Sequence, residues 1–287
     1  AGRTGYTLRV QTGCDETCSY CIIPSTRGVG RSVPLAHVLA ELDEVAAAGF
    51  KEVSVTGVHL GSYGRDLGPD CTLQDLLRLF DTHRSTLYFR LSSLEPMDCG
   101  PDVVDLVARS GRFAPHFHLP LQHASDRVLR AMRRPYTSEY YRRLVSGIRE
   151  RLPHAGLGSD VIVGFPGETD EDAATNLEYL GQSPLTYLHV FPYSDRPGTD
   201  ATRLSGKVPG PTIRARGREI RSVGAALAAS FRALQVGTVR PGLTIEGGTV
   251  VVTDNYLKVR VPAAVPENER VQVRITAAGE LITGMLV

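Results

Sequence analysis

Cysteine is scarce in this 287-residue chain, and charge of either sign is not in excess. Five cysteines are too few for the dense disulfide framework of a small secreted domain, so a reducing cytoplasm is the expected location. A formal net charge of +1 excludes a globally basic nucleic-acid binder, so any basic surface has to be local. No apolar run approaches the roughly 18 to 20 residues needed to cross a bilayer. We therefore expect no association with a membrane.

An initiator methionine and a signal peptide are also missing, since the first residues, AGRTGYTLRV, run straight into a predicted strand. We interpret the chain as a fragment or a trimmed protein. Its 42% hydrophobic and 22% charged residues are typical of a soluble globular protein. The length is sufficient for one large domain and a small one.

Residues 7–194 alternate short apolar strands with amphipathic helices, which gives six strand–helix units. The predicted strands are TLRVQ, EVSVTG, YFRLSS, HFHLPLQ, DVIVGF and YLHVFPYS. Apolar strands with helical crossovers indicate a parallel sheet covered by helices, in an α/β fold. Periodicity alone leaves open a partial barrel or a doubly wound sheet, but both place chemistry at the carboxyl ends of the strands.

The character of the sequence changes after Ser194. A helix is predicted from Pro211 to about Val236, in a segment, 203–240, with eight basic residues against the single acid Glu219. Four short strands follow, GGTVVVTDN, YLKVRVP, ERVQVRIT and ELITGMLV, in which apolar and basic residues alternate. We predict a small antiparallel β-barrel, apolar inside and partly basic outside.

Cys14, Cys18 and Cys21 form the spacing C-x3-C-x2-C within GCDETCSYCIIPSTRG. A structural zinc site usually has four ligands in two pairs, and no second pair is present. A disulfide would leave one thiol over, and a polar, turn-like loop is a poor place for three buried cysteines. Thiolates are the standard ligands of iron–sulfur clusters, and three of them leave one iron of a cubane open. We therefore favour a catalytic cluster.

The cysteine loop, with Tyr20 before its last cysteine, resembles that of radical S-adenosylmethionine (SAM) enzymes. VTGVHLGSYGRDL, RLSSLEP, PLQHASDRVLRAMRR, SDVIVGFPGET and HVFPYSDRPGTDA follow in the order found in the methylthiotransferases of that group. The resemblance covers essentially the whole chain. It implies a six-unit partial (β/α) barrel in residues 1–205, a basic helical connector in 206–236 and a TRAM-like β-barrel in 237–287.

The resemblance also implies the cofactors. Cys14, Cys18 and Cys21 would bind one 4Fe-4S cluster, whose open iron chelates SAM and, once reduced, cleaves it to a 5′-deoxyadenosyl radical. A flavodoxin or ferredoxin would donate the electron. Family members carry a second cluster in an N-terminal domain that this sequence does not contain. A fragment of this kind is expected to cleave SAM without completing sulfur insertion.

Further residues would surround SAM. Tyr20 would lie near the adenine, and Thr56 and Gly57 would face the methionine amine. The remaining candidates are Glu95 and Gln122 for polar contacts, Val161, Ile162 and Gly164 along the adenosine, and Arg27 and Arg134 for carboxylate or phosphate oxygens. Each also has a structural explanation, as a core residue, a turn, a helix cap or a surface charge. His59, His116, His118 and His189 receive no role.

The substrate is expected to be the anticodon stem-loop of tRNA, with adenosine 37 receiving a methylthio group at C2. TGVHLGSYGRDL and RLSSLEP favour the branch that acts on N6-threonylcarbamoyladenosine, whereas PLQHASDRVLRAMRR is closer to the branch that modifies a ribosomal-protein aspartate. Candidate phosphate contacts lie on the helix and the small barrel: Arg214, Arg218, Arg221, Lys258, Arg260 and Arg274. The alternatives are another modified adenosine 37, the ribosomal protein, a solvated basic face, or a non-catalytic RNA-binding protein stabilised by zinc.

Overall fold

The computed structural model describes residues 4–262 and 264–287. Eight strands precede the long connecting helix: β1 (Gly5–Arg9), β2 (Gln11–Thr12), β3 (Arg31–Ser32), β4 (Glu52–Thr56), β5 (Tyr88–Leu91), β6 (His116–His118), β7 (Gly156–Val163) and β8 (Tyr187–Pro192). The helices are α1 (Ile23–Arg27), α2 (Leu35–Ala47), α3 (Leu73–Thr82), α4 (Pro101–Arg109), α5 (Asp126–Ala131), α6 (Ser138–Arg151), α7 (Asp170–Gln182) and α8 (Gly210–Gln235). Short 3₁₀ turns occupy Leu60–Ser62, Pro96–Asp98 and Asp200–Arg203.

Six parallel strands form the large domain in the predicted order. β1 pairs with β4 and β4 with β5, and β6 pairs with β7 and β7 with β8. Single parallel bridges, Phe89 to Phe113 and Ser93 to His118, join the two halves between β5 and β6. Within the described residues β8 does not pair with β1, so the barrel stays open on one side. The predicted partial (β/α) barrel is confirmed.

The helices cover the outside of this barrel because their apolar faces meet the outward side chains of the strands. Leu42 of α2, Phe80 of α3 and Val145 of α6 are fully buried in one core with Val55 of β4 and Val161 of β7. Capping boxes fix where two of the helices begin: Thr72 with Asp75 at α3, and Thr169 with Asp172 at α7. Among the described residues, no helix combines the length and apolar character needed to cross a membrane.

The predicted small barrel is confirmed in residues 239–286, with two differences. It has five strands, β9 (Val239–Ile245), β10 (Val250–Thr253), β11 (Lys258–Arg260), β12 (Arg270–Ala278) and β13 (Ile282–Leu286), closed in the order β10–β11–β13–β12–β9. The sequence analysis missed β9, because Pro241 and Gly242 interrupt its strand pattern. The pairing of β11 with β13 is parallel, whereas the other four are antiparallel.

The small barrel docks on the amino-terminal end of the parallel strands. Asn255 donates to the His154 carbonyl at 3.0 Å, and Asn268 donates to the Gly49 carbonyl at 3.0 Å. Arg90 of β5 reaches down to donate to the Asp254 carbonyl at 2.8 Å. The carboxyl ends of the strands are therefore left free for the candidate site.

Candidate functional site

The cysteine loop connects β2 to β3, and the pairing of these two short strands holds the two ends of the loop together. β2 pairs with β3 antiparallel, and the Cys14 N–H donates to the Gly28 carbonyl at 3.1 Å. Gly13 adopts a φ of +71°, and a Cβ there would lie 1.9 Å from the Val29 carbonyl oxygen. Only glycine fits where the two ends of the loop touch. The first cysteine is thus fixed directly above the end of β1.

The thiols of this loop influence one another's ionisation. Burial raises the pKa of Cys18, Arg134 opposes that effect, and the neighbouring Cys21 and Cys14 thiols raise it further. Burial likewise raises the pKa of Cys21, with Cys14 adding to the effect. Cys99 is fully buried in the main core, and Cys71 lies beside Tyr63 and away from this loop. The candidate donor set therefore remains the three loop cysteines, Cys14, Cys18 and Cys21.

Arg134 and Glu95 lie against the middle cysteine. Arg134 is 7% exposed and approaches the Cys18 sulfur to 3.2 Å through Nη1. The same guanidinium donates to Glu95 and to the Tyr136 hydroxyl, the latter at 3.0 Å. Glu95 follows β5, so two predicted site residues meet beside a thiol that a cluster would hold as thiolate. A buried cation there stabilises the negative sulfur.

The sequence analysis missed the residues around Cys14. His59 places Nδ1 3.8 Å from the Cys14 sulfur and Nε2 2.8 Å from Asp98. Burial lowers the pKa of His59, but the Asp98 hydrogen bond and Cys14 outweigh it and raise that pKa to about 9. The buried Gln11 amide accepts from the His59 N–H at 2.8 Å and donates to the Gly13 carbonyl at 2.9 Å. The sequence feature that could have indicated this part of the site is the polar residue Gln11 at the end of an otherwise apolar strand.

Tyr20 and the end of β7 meet on one side of the loop. Tyr20 meets Phe165 edge-on at 6.5 Å between ring centroids, and Tyr20 and Ile162 pack on the same small apolar cluster. Val161 points the other way into the main core, so it offers only its backbone to this side. Gly164 has a φ of +80° and donates its N–H to Glu168 at 2.6 Å.

Gln122, Thr56 and Gly57 lie at neighbouring strand ends. Gln122 has a φ of +67°, unusual for a residue with a side chain, and its carbonyl accepts from the Ile162 N–H at 2.8 Å. The Thr56 carbonyl accepts from the Val10 N–H at 2.9 Å. A Cβ on Gly57 would lie 3.0 Å from the Gln11 side chain. The predicted SAM residues therefore share the carboxyl end of the barrel with the three cysteines.

Below these strand ends, the barrel has an open cavity of about 390 Å³. Its lining includes His116, His118, Asp160, Tyr187 and His189 from three adjacent strands. Burial tends to raise the pKa of Asp160, but hydrogen bonding and charge from His118 and His189 outweigh it, so that pKa is lowered. The cavity therefore holds a charged carboxylate between two imidazoles.

The predicted basic residues separate into two groups. Arg214, Arg218 and Arg221 line a groove of about 220 Å³ on α8 beside Pro192, at the carboxyl end of β8. No ion pair involves these three arginines in residues 4–262 and 264–287. Their neighbours in sequence are paired, for example Arg216 with Glu168 and Lys207 with Asp195.

The second group lies on the small barrel at the opposite end. Lys258 pairs with Glu246 at 2.8 Å, Arg260 is exposed on β11, and Arg274 lies 3.4 Å from the Gly237 carbonyl. The fold therefore does not bring the six predicted residues into a single patch.

Residues 8–180 match the family model described as the radical SAM superfamily, which is more than half of the chain. The chain belongs to the radical SAM superfamily. Membership implies a 4Fe-4S cluster, which the cysteine spacing predicts, and SAM, which the resemblance of the cysteine loop implies.

Curated relatives of this radical SAM chain include methylthiotransferases of three kinds, which confirms the resemblance seen in its motifs. A threonylcarbamoyladenosine tRNA methylthiotransferase of Aquifex aeolicus is 38% identical over 253 residues, or 88% of this chain and 61% of the relative. The ribosomal protein uS12 methylthiotransferase of Acidothermus cellulolyticus is 41% identical, over 75% of this chain and 46% of the relative. A tRNA-2-methylthio-N6-dimethylallyladenosine synthase of Symbiobacterium thermophilum is 35% identical, over 95% and 61%. The chain spans about half the length of the curated relatives it matches.

Solved structures agree on the fold of this radical SAM chain. Coproporphyrinogen III oxidase from Escherichia coli, a radical SAM enzyme, superimposes with a TM-score of 0.55 at 17% identity, over 78% of this chain and 52% of that one. A radical SAM methyltransferase from Kitasatospora setae gives 0.54 at 21% identity, over 65% and 35%.

The residues present fit the cluster that the superfamily implies. Burial and the neighbouring thiols raise the pKa of Cys18 and of Cys21, which disfavours bare thiolates there, and bound iron would compensate the negative charge of these sulfurs. Arg134 already directs an N–H group toward the Cys18 sulfur, and Nδ1 of His59 lies 3.8 Å from the Cys14 sulfur. Hydrogen bonds to cluster sulfurs are among the features by which proteins set reduction potentials.

Proposed function

We propose that this chain is the SAM-cleaving and RNA-binding part of a methylthiotransferase that modifies N6-threonylcarbamoyladenosine 37 of tRNA at C2. The observation that carries the proposal is the convergence of Cys14, Cys18 and Cys21 at the end of the barrel where Tyr20, Glu95 and Gln122 also lie. When bound, the cluster supplies the electron that cleaves SAM. A flavodoxin or ferredoxin would serve as its donor.

The chain's own residues would orient SAM and exclude water. Tyr20, with Phe165 against its edge, presents an aromatic surface to an adenine, and Ile162 adds an apolar one. Glu95 and Gln122 offer oxygens for ribose hydroxyls or the methionine amine. The Gln122 backbone hydrogen-bonds to β7 through both its N–H and its carbonyl, which fixes the position from which its side chain extends. These contacts would position the reacting carbon above the cavity.

The tRNA assignment rests on charge and on the relatives. Arg214, Arg218 and Arg221 recur at helical spacing on one face of α8, at the same end as the thiols. Cations without acidic partners are available to phosphate oxygens. Two of the three relatives compared above act on a tRNA adenosine by name. A ribosomal protein remains the second candidate substrate, because a relative with that name is 41% identical.

The first experiment tests the chemistry. The full chain is reconstituted anaerobically with iron and sulfide, reduced with SAM present, and assayed for 5′-deoxyadenosine. We expect product from the native chain and from Cys71→Ala, the matched control outside the loop, and none from Cys18→Ala. Product that persists in Cys18→Ala, or a colourless chain that binds zinc instead of iron, would exclude a radical SAM reaction at these cysteines.

The second experiment tests the substrate. Anticodon stem-loops carrying threonylcarbamoyladenosine, dimethylallyladenosine or plain adenosine at position 37 are compared with the ribosomal protein as ligands. We expect the tightest binding for the threonylcarbamoyl form, with affinity falling steeply as salt rises. Tighter, salt-insensitive binding of the ribosomal protein would reassign the substrate while leaving the SAM chemistry intact.

A further inference from the structure

Three side chains inside the barrel converge on one point. His118 places Nε2 3.0 Å from Oδ1 of Asp160, and His189 places Nδ1 3.1 Å from the same oxygen. These three potential ligand atoms all lie within 4.8 Å of one another. We propose that His118, Asp160 and His189 form a binding site for one divalent transition-metal ion such as Zn²⁺ or Fe²⁺, separate from the three-cysteine cluster site.

The strand register builds this arrangement. Asp160 and His189 are direct partners in the pairing of β7 with β8, and His118 stands on β6 on the other side of β7. His118 is paired with Gly158, two positions before Asp160, and because the side chains of a strand alternate between its two faces, all three residues project from the same face of the sheet. The rigid sheet thus fixes the spacing of the three ligand atoms, as a preformed metal site requires.

The distances suit a metal ion. At metal–ligand distances of about 2.0 to 2.2 Å, two ligand atoms are separated by about 3.0 Å in an octahedral site and by about 3.4 Å in a tetrahedral zinc site. The histidine–aspartate separations of 3.0 and 3.1 Å match the octahedral spacing and are a few tenths of an ångström shorter than the tetrahedral one. A hydrogen bond would explain either histidine–aspartate contact taken alone. Both imidazoles, however, approach the same oxygen, Oδ1 of Asp160, while its Oδ2 has no partner within residues 4–262 and 264–287. Two imidazoles and one carboxylate are the facial set typical of non-haem iron, and imidazole also suits zinc.

A second layer of contacts orients His118. The Tyr187 hydroxyl lies 3.2 Å from Nδ1 of His118 and 2.8 Å from Nε2 of His116. A metal-binding histidine usually engages its other ring nitrogen in this way, which fixes the ring and its tautomer. Gly158 makes the arrangement possible, because a Cβ there would lie 2.0 Å from the Tyr187 ring. The tyrosine therefore crosses β7 only because that position has no side chain.

The surroundings leave coordination positions open. The cavity of about 390 Å³ beside the three ligands has room for water or for a polar group of a substrate. His118 and Asp160 are largely shielded, whereas the His189 side chain is 55% exposed and marks the entry side. An ion here would be reached from the same cavity that lies beneath the SAM residues.

The test measures metal binding to the full chain, with the three cysteines already occupied by a reconstituted cluster. The chain is dialysed to equilibrium against Zn²⁺, and bound zinc is counted by elemental analysis beside the iron. We expect one zinc per chain in the native protein and in His37→Gln, an exposed histidine on α2 that serves as the control. Asp160→Asn and His189→Gln should each bind at least about tenfold more weakly.

Two further variants keep the test decisive. Because His189 is exposed, His189→Gln should remain folded even if Asp160→Asn does not, and thermal unfolding checks both. Tyr187→Phe, which keeps the ring and removes the hydroxyl, should weaken zinc binding by about 10- to 100-fold. The absence of bound zinc, or equal binding by His189→Gln and the native chain, would overturn the proposal and leave the three residues as a hydrogen-bonded cavity lining.

Discussion

A buried ion pair joins the end of β7 to α8, and breaking it is expected to be costly. Glu168 accepts from the Gly164 N–H at 2.6 Å and the Phe165 N–H at 3.2 Å through one oxygen, and from Arg216 at 2.7 Å through the other. Its side chain is 1% exposed and that of Arg216 is 11%. The second partner of Arg216, Asp170, is 99% exposed. Glu168 is therefore the only one of the two acidic partners of Arg216 that is itself shielded from solvent.

Replacing Glu168 by alanine removes a hydrogen-bond acceptor from two backbone N–H groups and leaves the Arg216 charge with only a solvated partner. Breaking a buried pair by removing one member typically costs about 3 to 5 kcal/mol. We expect about 3 kcal/mol for Glu168→Ala, since Asp170 retains part of the compensation. Asp170→Ala, which removes an exposed partner of the same arginine, should cost less than about 1 kcal/mol.

The assay is urea unfolding of the cluster-free chain, followed by circular dichroism. The variants are Glu168→Ala, Arg216→Ala, the double variant and Asp170→Ala. Because the two side chains touch, the double variant should lose less than the sum of the single losses, by about 1 kcal/mol or more. A loss below about 1 kcal/mol for Glu168→Ala, or additive single losses, would refute the claim that this pair fastens α8 to the barrel.

Three further predictions concern pH, backbone and charge. Burial lowers the pKa of His123 to about 4 from 6.5, so the unfolded state takes up the proton first as pH falls. The free energy of unfolding should therefore drop by about 2 kcal/mol between pH 7 and pH 5. Urea unfolding at a series of pH values measures this drop, and a His123→Gln variant that keeps the full drop would contradict the prediction. Gly164→Ala should destabilise the fold by about 2 kcal/mol or more, because the φ of Gly164 is +80° and the new Cβ would lie 2.3 Å from Ile213. Adding Ile213→Ala to the same chain should restore part of the lost stability in thermal unfolding. No restoration would exclude the steric explanation. Arg218→Gln should reduce the slope of log affinity for tRNA against log salt by about 1, whereas an unchanged slope would remove Arg218 from the RNA interface.

Much of the barrel could be predicted because its pattern is repetitive. Each apolar strand ends in a polar turn, and each helix carries an apolar face, so six units could be counted without knowing their pairing. β9 could not be found in this way, since Pro241 and Gly242 break its pattern. Its pairing with β12 comes from the closed barrel, which no local signal encodes.

The site was predictable where chemistry depends on spacing in the sequence. Three cysteines within eight residues predict a shared ligand, and in the fold the Cys14 and Cys21 thiols both act on the pKa of Cys18. Gln11, His59 and Asp98 come from three separate loops or strand ends, and only the tertiary fold brings them to Cys14. Likewise, His118 and His189 are 71 positions apart in sequence but 5.2 Å apart between ring centroids.

The two groups of basic residues would contact different parts of an RNA, because one lies in the first half of α8 and the other on the small barrel beyond its end. This helix has 26 residues and spans about 39 Å from the thiol end of the barrel to the small barrel. Ile213, near its start, packs at Gly164, and Gln235, at its end, contacts Asn255. An RNA that touches both Arg218 and Lys258 must therefore lie along the length of α8. The arginines near the thiols would then orient the reacting nucleotide, while those of the small barrel would add affinity at a distance.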